Sequence, residues 1–371
     1  MIRQLLLVFC CLTTLTGIAE TTETIVDPLA DVASTDGHIH ITNLAHQIQY
    51  LRDRLARENN NNLPRLYDLA EALWQQGLIF SDLNRIGEAL QVADQIVAIA
   101  PSDSRGFLLR ARLKMSLHQF QSAQHELNQA QRFGAPLHQI HPLSAEIQLN
   151  LGKMPSTLVL ADINSSTASW LTQVTVLMHN KQYGKAMSAM HQAMNLIRNP
   201  NPLPMVALYL LWAELAERQN NTREHAYALK MAVARLPFHV AALESLSAYH
   251  LKNGEIDQAI GLLQSATEQS SDPHLLVQLA KAYRTREDIN RALNLEKTAK
   301  QSFENLLRSY PEAYAAEAAD FFMTLPDQLE KSKYWAEVAV TTHPIPANRE
   351  LLLKINKKLK DLSADPAKKV H

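Results

Sequence analysis

The sequences AYHLKNGEIDQAI (residues 248–260) and AYRTREDINRAL (residues 282–293) carry the most regular pattern in the chain. Ala259 and Ala292 hold the same place in the two copies and lie 33 residues apart (292 − 259). In each copy, apolar residues recur at helical spacing before and after a short polar break. Small alanines after the break allow two helices to lie close together. The stretch therefore predicts two helices per unit, repeated at about 34 residues.

This unit resembles the tetratricopeptide repeat family in its period and in the placement of its alanines. The resemblance implies an all-α fold, an α-solenoid of about seven to eight helix-turn-helix repeats, some of them degenerate. It also implies a right-handed superhelix with a concave binding face. The expected partner is therefore a protein or a peptide, whose identity the resemblance does not supply.

The same register extends towards the N-terminus. Ala89 and Ala123 lie 34 residues apart (123 − 89), and Gly77 is predicted to end the first helix of the first repeat. The third repeat is degenerate, since Pro155 opens a second helix that lacks the alanine pair. In the fifth repeat we expect Ala226 to take the alanine position. Most units are thus recognisable, although their turns differ in length.

The predicted solenoid covers residues 63–345. Three prolines within residues 200–204 form a stiff connector, which divides the array into sub-arrays 63–199 and 205–345. Stacking between neighbouring repeats favours one continuous array over two separate domains. Residues 346–371 are predicted to form a C-terminal capping helix and a basic tail.

Residues 1–19 are typical of a secretory signal peptide. Arg3 supplies a positive charge, and the apolar run Leu5–Leu15 is too short to span a bilayer. Gly17 and Ala19 are the small residues expected before a cleavage site. We therefore predict an exported protein, periplasmic in a Gram-negative bacterium and secreted otherwise. The alternative is a retained membrane anchor.

Residues 20–62 are predicted to form a flexible lead-in followed by an amphipathic docking helix. The lead-in is acidic and turn-prone up to about residue 37. Apolar side chains then follow at alternating three- and four-residue spacing: Ile41, Leu44, Ile48, Leu51 and Leu55. This narrow seam favours docking on the first repeat, with dimerisation as the alternative.

Charge and cysteine content exclude several classes of function. The formal net charge is −1, so no global field attracts nucleic acid or an anionic membrane. The only cysteines are Cys10 and Cys11, within the predicted signal peptide. The mature chain would therefore have no disulfide, no thiolate metal site and no cysteine nucleophile.

Catalytic and metal-binding motifs are incomplete. The dipeptide at 125–126, His-Glu, begins like a zinc-protease helix, but Gln129 stands where the second histidine should be. His138 and His141 are three residues apart, and Pro142 is predicted to break the helix that would align them. We therefore expect a protein that is not an enzyme and binds no metal or cofactor.

The resemblance places certain side chains of the first helix of each repeat in a concave groove. Aromatic and methionine side chains there would supply apolar contacts, and cations would bind carboxylates. The predicted partner-binding residues are Tyr67, Trp74, Arg105, Arg112, Met115, Met178, Lys252, Lys281 and Arg284.

Three functions follow as hypotheses. The leading one is a non-enzymatic adaptor or scaffold of the cell envelope that binds a protein or peptide in this groove. The second is a structural subunit of an envelope assembly or secretion apparatus, held by its outer faces. The third, an enzyme or metal-handling protein that uses its histidines, rests on the weakest pattern.

Overall fold

The structure, a computed structural model, describes residues 25–59, 61–155, 167–198, 201–325 and 327–364. The signal peptide, the second helix of the third repeat and the basic tail were predicted in segments that lie outside the described residues. Seventeen α-helices occupy the described part of the chain. In chain order they are α1 (Gly37–Arg57), α2 (Leu63–Phe80), α3 (Leu83–Ile99), α4 (Ser104–Ser116), α5 (Phe120–Arg132), α6 (Leu137–Asn150), α7 (Thr167–His179), α8 (Tyr183–Asn195), α9 (Pro202–Arg218), α10 (Thr222–Arg235), α11 (Val240–Lys252), α12 (Ile256–Gln269), α13 (Pro273–Thr285), α14 (Ile289–Ser309), α15 (Pro311–Met323), α16 (Leu329–Thr342) and α17 (Pro346–Ala364).

The helices form consecutive pairs. The most extensive packing joins α2 to α3, α4 to α5, α7 to α8, α9 to α10, α11 to α12, α13 to α14 and α15 to α16. We number these pairs first, second and fourth to eighth, because α6 begins the third unit. Each pair also packs on the next, for example α3 on α4 and α12 on α13. This confirms the predicted all-α solenoid of tetratricopeptide-like helix pairs.

A residue with positive φ recurs in the turn that follows the first helix of a pair. It occurs at Ser81, His118, Gly152, Lys181, Asn220, Gly254 and Glu287. Only two of these residues are glycine, although the left-handed region favours glycine. The left-handed backbone conformation therefore recurs in these turns, although the residue type at that position varies.

The predicted alanine register places fully buried side chains at Ala89, Ala123, Ala186, Ala259 and Ala292. The fifth pair differs, and the prediction of Ala226 is wrong. The equivalent place, seven residues before the buried Ala232, is held by His225, whose Nδ1 lies 2.8 Å from the carbonyl oxygen of Ala213. The imidazole fills the space of an alanine there and bonds to the backbone of α9.

Enlarging these alanines is expected to destabilise the fold. Ala292→Trp should lower the free energy of unfolding by about 1–3 kcal/mol, since an indole must force α13 and α14 apart. Urea denaturation followed by circular dichroism measures the change. Leu293→Trp adds the same ring one residue away, where the side chain is 52% exposed, and serves as the control. Equal stability of the two variants would contradict the helix register.

Two predicted helix boundaries are wrong. Gly77 does not end the first helix, because α2 continues to Phe80. A Cβ atom added at Gly77 would lie 2.5 Å from Cγ1 of Ile86, so the glycine permits the close approach of α3. Pro142 does not break its helix either, since α6 runs from Leu137 to Asn150 with Pro142 inside it.

The helix before the solenoid packs on the first pair. Apolar side chains of α1 that face α2 are buried, namely Leu44, Ile48, Leu51 and Leu55. An ion pair between Arg52 and Glu88 joins α1 to α3. The seam that the sequence assigned to docking or dimerisation is therefore covered within this chain.

The array closes on itself through contacts between distant pairs. The first pair contacts the sixth, since α2 packs on α11. The Nδ2 atom of Asn201, just before α9, donates to Oε1 of Gln75 on α2 over 3.3 Å. The second pair meets the end of the array, where the rings of Phe120 and His343 are 4.9 Å apart. These contacts join helix pairs that are far apart in the chain.

Residues 25–36 contradict the expected flexible lead-in. Leu29 has no exposed surface, and Asp27 bonds to side chains of the fifth pair. Burial of this leucine and the hydrogen bond of the aspartate order a segment that has no helix of its own.

In the described ranges, no helix is both long and apolar enough to cross a membrane.

Candidate peptide-binding site

The segment of residues 25–36 has a shape defined by its own hydrogen bonds. The Ala30 amide donates to the Asp27 carbonyl oxygen over 3.2 Å, which closes a β-turn. Pro28 stands at the second position of that turn, where its fixed φ is favoured. The Leu29 amide donates to Oδ1 of Asp27 over 2.8 Å. The sequence Asp-Pro-Leu thus forms a locally encoded turn.

Two tyrosines of the fifth pair bind the carboxylate of this turn. The Asp27 Oδ2 atom accepts the hydroxyl of Tyr209 on α9 over 2.8 Å and that of Tyr227 on α10 over 2.9 Å. Burial and then the bond to Asp27 raise the pKa of both phenols, that of Tyr227 to about 12. Both hydroxyls are therefore donors near neutral pH, which makes the pair a receptor for a carboxylate.

Arg235, in the last turn of α10, binds the main chain of the segment. Its Nη2 atom donates to the carbonyl oxygen of Leu29 over 2.6 Å and its Nη1 atom to that of Val32 over 3.0 Å. The Nη1 atom also lies 3.1 Å from Oγ of Ser34. Carbonyl oxygens are the same in every residue type, so this contact selects a backbone shape rather than side chains.

The leucine of the turn is buried with apolar residues of the solenoid. Leu29 belongs to the same buried cluster as Tyr209 and Trp212. The Trp212 ring lies 6.3 Å from that of Tyr209, nearly parallel to it, and 5.8 Å from that of Tyr227. The Trp212 indole is held in place by its Nε1–H bond to Glu224, 2.9 Å long. The three aromatic rings thus pack on one another beside the two hydroxyls that bind Asp27.

Together these groups, which we call the turn site, hold three features of residues 25–36. Tyr209 and Tyr227 bind the carboxylate of Asp27, Leu29 is buried in the apolar cluster that contains Tyr209 and Trp212, and Arg235 binds the carbonyl oxygens of Leu29 and Val32. None of Tyr209, Trp212, Tyr227 and Arg235 is among the binding residues predicted from the sequence. A phenol on a largely buried helix needs a hydrogen-bond partner, and that requirement is the signal that could have identified the site.

The structure brings two predicted groove residues together. Arg105 lies over the ring of Tyr67, with Cζ 5.2 Å from the centroid, and pairs with Asp103 over 2.7 Å. The Tyr67 hydroxyl also bonds to Asp103, and burial raises its pKa to about 12. Trp74 donates its Nε1–H to Oγ of Ser116 over 2.9 Å. These side chains join α2 to α4 and its preceding turn.

The predicted binding residues of the second and fourth pairs are buried or half-buried. Met115 is a correction, since it is 7% exposed within the core of the second pair and offers little surface to a partner. It lies one helical turn after the buried Ala111, so its side chain is on the face of α4 that packs in the core. Met178 is half-buried against the main apolar cluster. Arg112, on α4, is half-buried.

The predicted cations of later repeats differ in their partners. Lys252 pairs with Glu217 over 3.2 Å, and Arg284 binds both carboxylate oxygens of Glu296, the shorter bond being 2.6 Å. Lys281 is exposed and makes no ion pair within the described residues. Arg112 likewise makes none there. These two are the predicted cations available to a partner's carboxylate.

The histidines that the sequence analysis singled out do not gather into a ligand set. His138 and His141 both lie on α6. Among the described residues, no group of three or more histidine, cysteine, aspartate or glutamate side chains is arranged to hold a metal ion.

Comparison with known proteins found similar structures but no similar sequence. No family model and no curated protein matches the chain. Three solved structures are similar to it. YrrB, described as a TPR protein with an unusual peptide-binding site, is 13% identical over 57% of this chain and 91% of its own, with a TM-score of 0.31. The Cut9–Hcn1 hetero-tetramer of the APC/C is 14% identical over 85% of this chain and 52% of its own, with a TM-score of 0.37. Yeast Tom70 is 15% identical over 72% of this chain and 60% of its own, with a TM-score of 0.39. Superpositions this loose transfer no property to this chain.

Proposed function

We propose that this protein is a non-enzymatic scaffold that binds segments of partner proteins and acts in the cell envelope after export. The observation that carries the proposal is the turn site, where side chains of one helix pair hold a non-helical segment. Tyr209, Tyr227 and Arg235 bind that segment through a carboxylate and main-chain oxygens. A solenoid that binds its own peptide in this way has the chemistry to bind another.

A second surface of the same scaffold is the predicted groove. Arg112 and Lys281 offer charges that no carboxylate of the described chain neutralises, whereas Arg105, Lys252 and Arg284 are paired internally. An acidic partner would gain one charge-assisted contact at Arg112 and another at Lys281.

Affinity purification tests this function. The chain from Glu20 onward is immobilised, exposed to an envelope extract with cross-linking, and its bound proteins are identified by mass spectrometry. We expect a specific partner for the wild type and its loss, by about tenfold or more, from Arg112→Glu/Lys281→Glu. Lys354→Glu/Lys357→Glu on α17 makes the same charge change at exposed positions and should retain the partner.

The function would be rejected if the wild-type chain retained no protein above a blank matrix. Determining the N-terminal residue of the exported protein tests the localisation, with Glu20 as the expected first residue. A full-length chain recovered from the membrane fraction would instead support the retained anchor.

A structural subunit is the second candidate function, because an apolar pair is exposed on an outer helix. Ile289 is 46% exposed and Leu293, one turn later on α14, is 52% exposed. If Leu293→Glu removed the partner while Arg112→Glu/Lys281→Glu kept it, the assembly would be held by this outer face.

A further inference from the structure

The segment in the turn site has two properties of a portable ligand. Its turn is closed by its own backbone bond from Ala30 to Asp27, by the Asp27 carboxylate and by Pro28. A peptide with this sequence needs no attachment to the solenoid to adopt the bound shape, so less conformational entropy is lost when it binds. Its recognised features span only residues 27–34.

The receptor side of the site is equally self-sufficient. Tyr209, Trp212 and Tyr227 form a rigid aromatic cluster, and Arg235 is anchored at the end of α10. All four belong to one helix pair. The helices that position them pack on their neighbours whether or not the segment is present, because α9 contacts α8 and α10 contacts α11.

We infer that the turn site recognises Asp-Pro-Leu turns in partner proteins, and that residues 25–36 occupy it in cis until such a partner displaces them. The inference rests on the proposed function and names its partner class: a protein with an exposed turn in which an aspartate precedes a leucine by two residues. The aspartate binds the two phenols, the leucine is buried in the apolar cluster that contains Tyr209 and Trp212, and Arg235 binds the carbonyl oxygens that follow.

The cis segment sets the threshold for a partner. A tethered ligand has an effective concentration in the millimolar range, so a free peptide must compete against it. A partner gains access when its turn binds more tightly or is presented in several copies.

A peptide-binding experiment on the chain from Glu20 tests the inference. The probe is the peptide IVDPLADVASTD, which copies residues 25–36, labelled with fluorescein and followed by fluorescence anisotropy. Asp27→Asn/Leu29→Ala in the protein opens the site. We expect the opened chain to bind the probe at least about tenfold more tightly than the wild type, whose site is filled. Adding Arg235→Ala to the opened chain should weaken binding by about tenfold or more.

The peptide control is a matched probe that carries Asn in place of the aspartate equivalent to Asp27 and Ala in place of the leucine equivalent to Leu29. It should bind at least about tenfold more weakly.

A second measurement avoids destabilising the segment. The chain from Glu20 has no cysteine, and Val26 is 75% exposed, so a fluorophore on Val26→Cys reports release of the segment. Millimolar unlabelled peptide should displace it.

Two results would overturn the inference. One is a folded, opened chain that fails to bind the probe, together with no displacement in the Val26→Cys chain. The other is equal binding of the probe and its matched control. Either result would make residues 25–36 a structural clasp only. A partner still recovered by affinity purification would then preserve the proposed function, whereas probe binding without any recovered partner would preserve the turn site alone.

Discussion

Glu126→Ala is expected to lower the free energy of unfolding by about 3 kcal/mol, because it strands two cations inside the second helix pair. The Glu126 side chain is only 4% exposed, and its Oε1 atom accepts Arg110 over 3.0 Å and Lys114 over 2.5 Å. Removing the carboxylate leaves both charges partly desolvated between α4 and α5. Only Arg110 keeps another partner, Asp94, at 3.2 Å.

Urea unfolding at neutral pH measures this loss, and two variants calibrate it. Glu126→Gln keeps an acceptor oxygen and should recover part of the stability. Glu217→Ala breaks the exposed pair with Lys252 and should change stability by less than about 1 kcal/mol. Equal effects of Glu126→Ala and Glu217→Ala would contradict a buried role for Glu126. The residue that began an incomplete zinc-protease motif is thus an organiser of helix packing.

Acidification is expected to destabilise the protein through His239, a buried residue at the N-terminus of α11. Its Nδ1 atom accepts the amide of Ala242 over 3.2 Å, which requires that nitrogen to be unprotonated. Burial lowers the pKa of His239 from 6.5 to about 4. Between these values the unfolded chain binds a proton that the folded chain excludes. Stability is therefore complete above pH 6.5 and falls as the pH drops towards 4, by about 3 kcal/mol.

His239→Asn isolates this contribution, because asparagine also caps a helix but does not titrate. We expect the difference in unfolding free energy between pH 7.5 and pH 4.5 to be smaller in the variant by about 2–3 kcal/mol. Burial also lowers the pKa of His343, and it raises that of Glu214, which acts in the opposite direction. Both effects are the same in the wild type and in His239→Asn, so they cancel when the pH dependences of the two proteins are compared. An unchanged pH dependence in His239→Asn would rule out the assignment.

The helix pairs were predictable because their determinants are local. Ala259 and Ala292 lie within one turn of the break that they follow, and the seam of α1 from Leu44 to Leu55 is contained in one helix. The errors come from contacts between helices. His225 replaces the expected alanine of the fifth pair with a side chain that makes its own backbone bond. Gly77 acts through contact with α3 rather than as a helix terminator.

The phenols of the fifth pair indicate that a hydrogen-bond partner is needed, but the sequence could not identify that partner, because the two halves of the turn site are far apart in the chain. Asp27 and Tyr209 are 182 residues apart, and Leu29 and Arg235 are 206 residues apart. Nothing in the polar sequence around Asp27 marks it as a ligand. A pattern read over one or two helical turns cannot contain such a pairing.

The sequence by itself determined the helical repeats, their approximate period and the amphipathic first helix, since periodic apolar residues and small alanines act over a few turns. Only the tertiary structure decided how the repeats close on one another. Small rotations between neighbouring pairs add up along a solenoid, so the sum sets which distant helices meet. That sum places residues 25–36 on the fifth pair and orders a segment that was expected to be flexible.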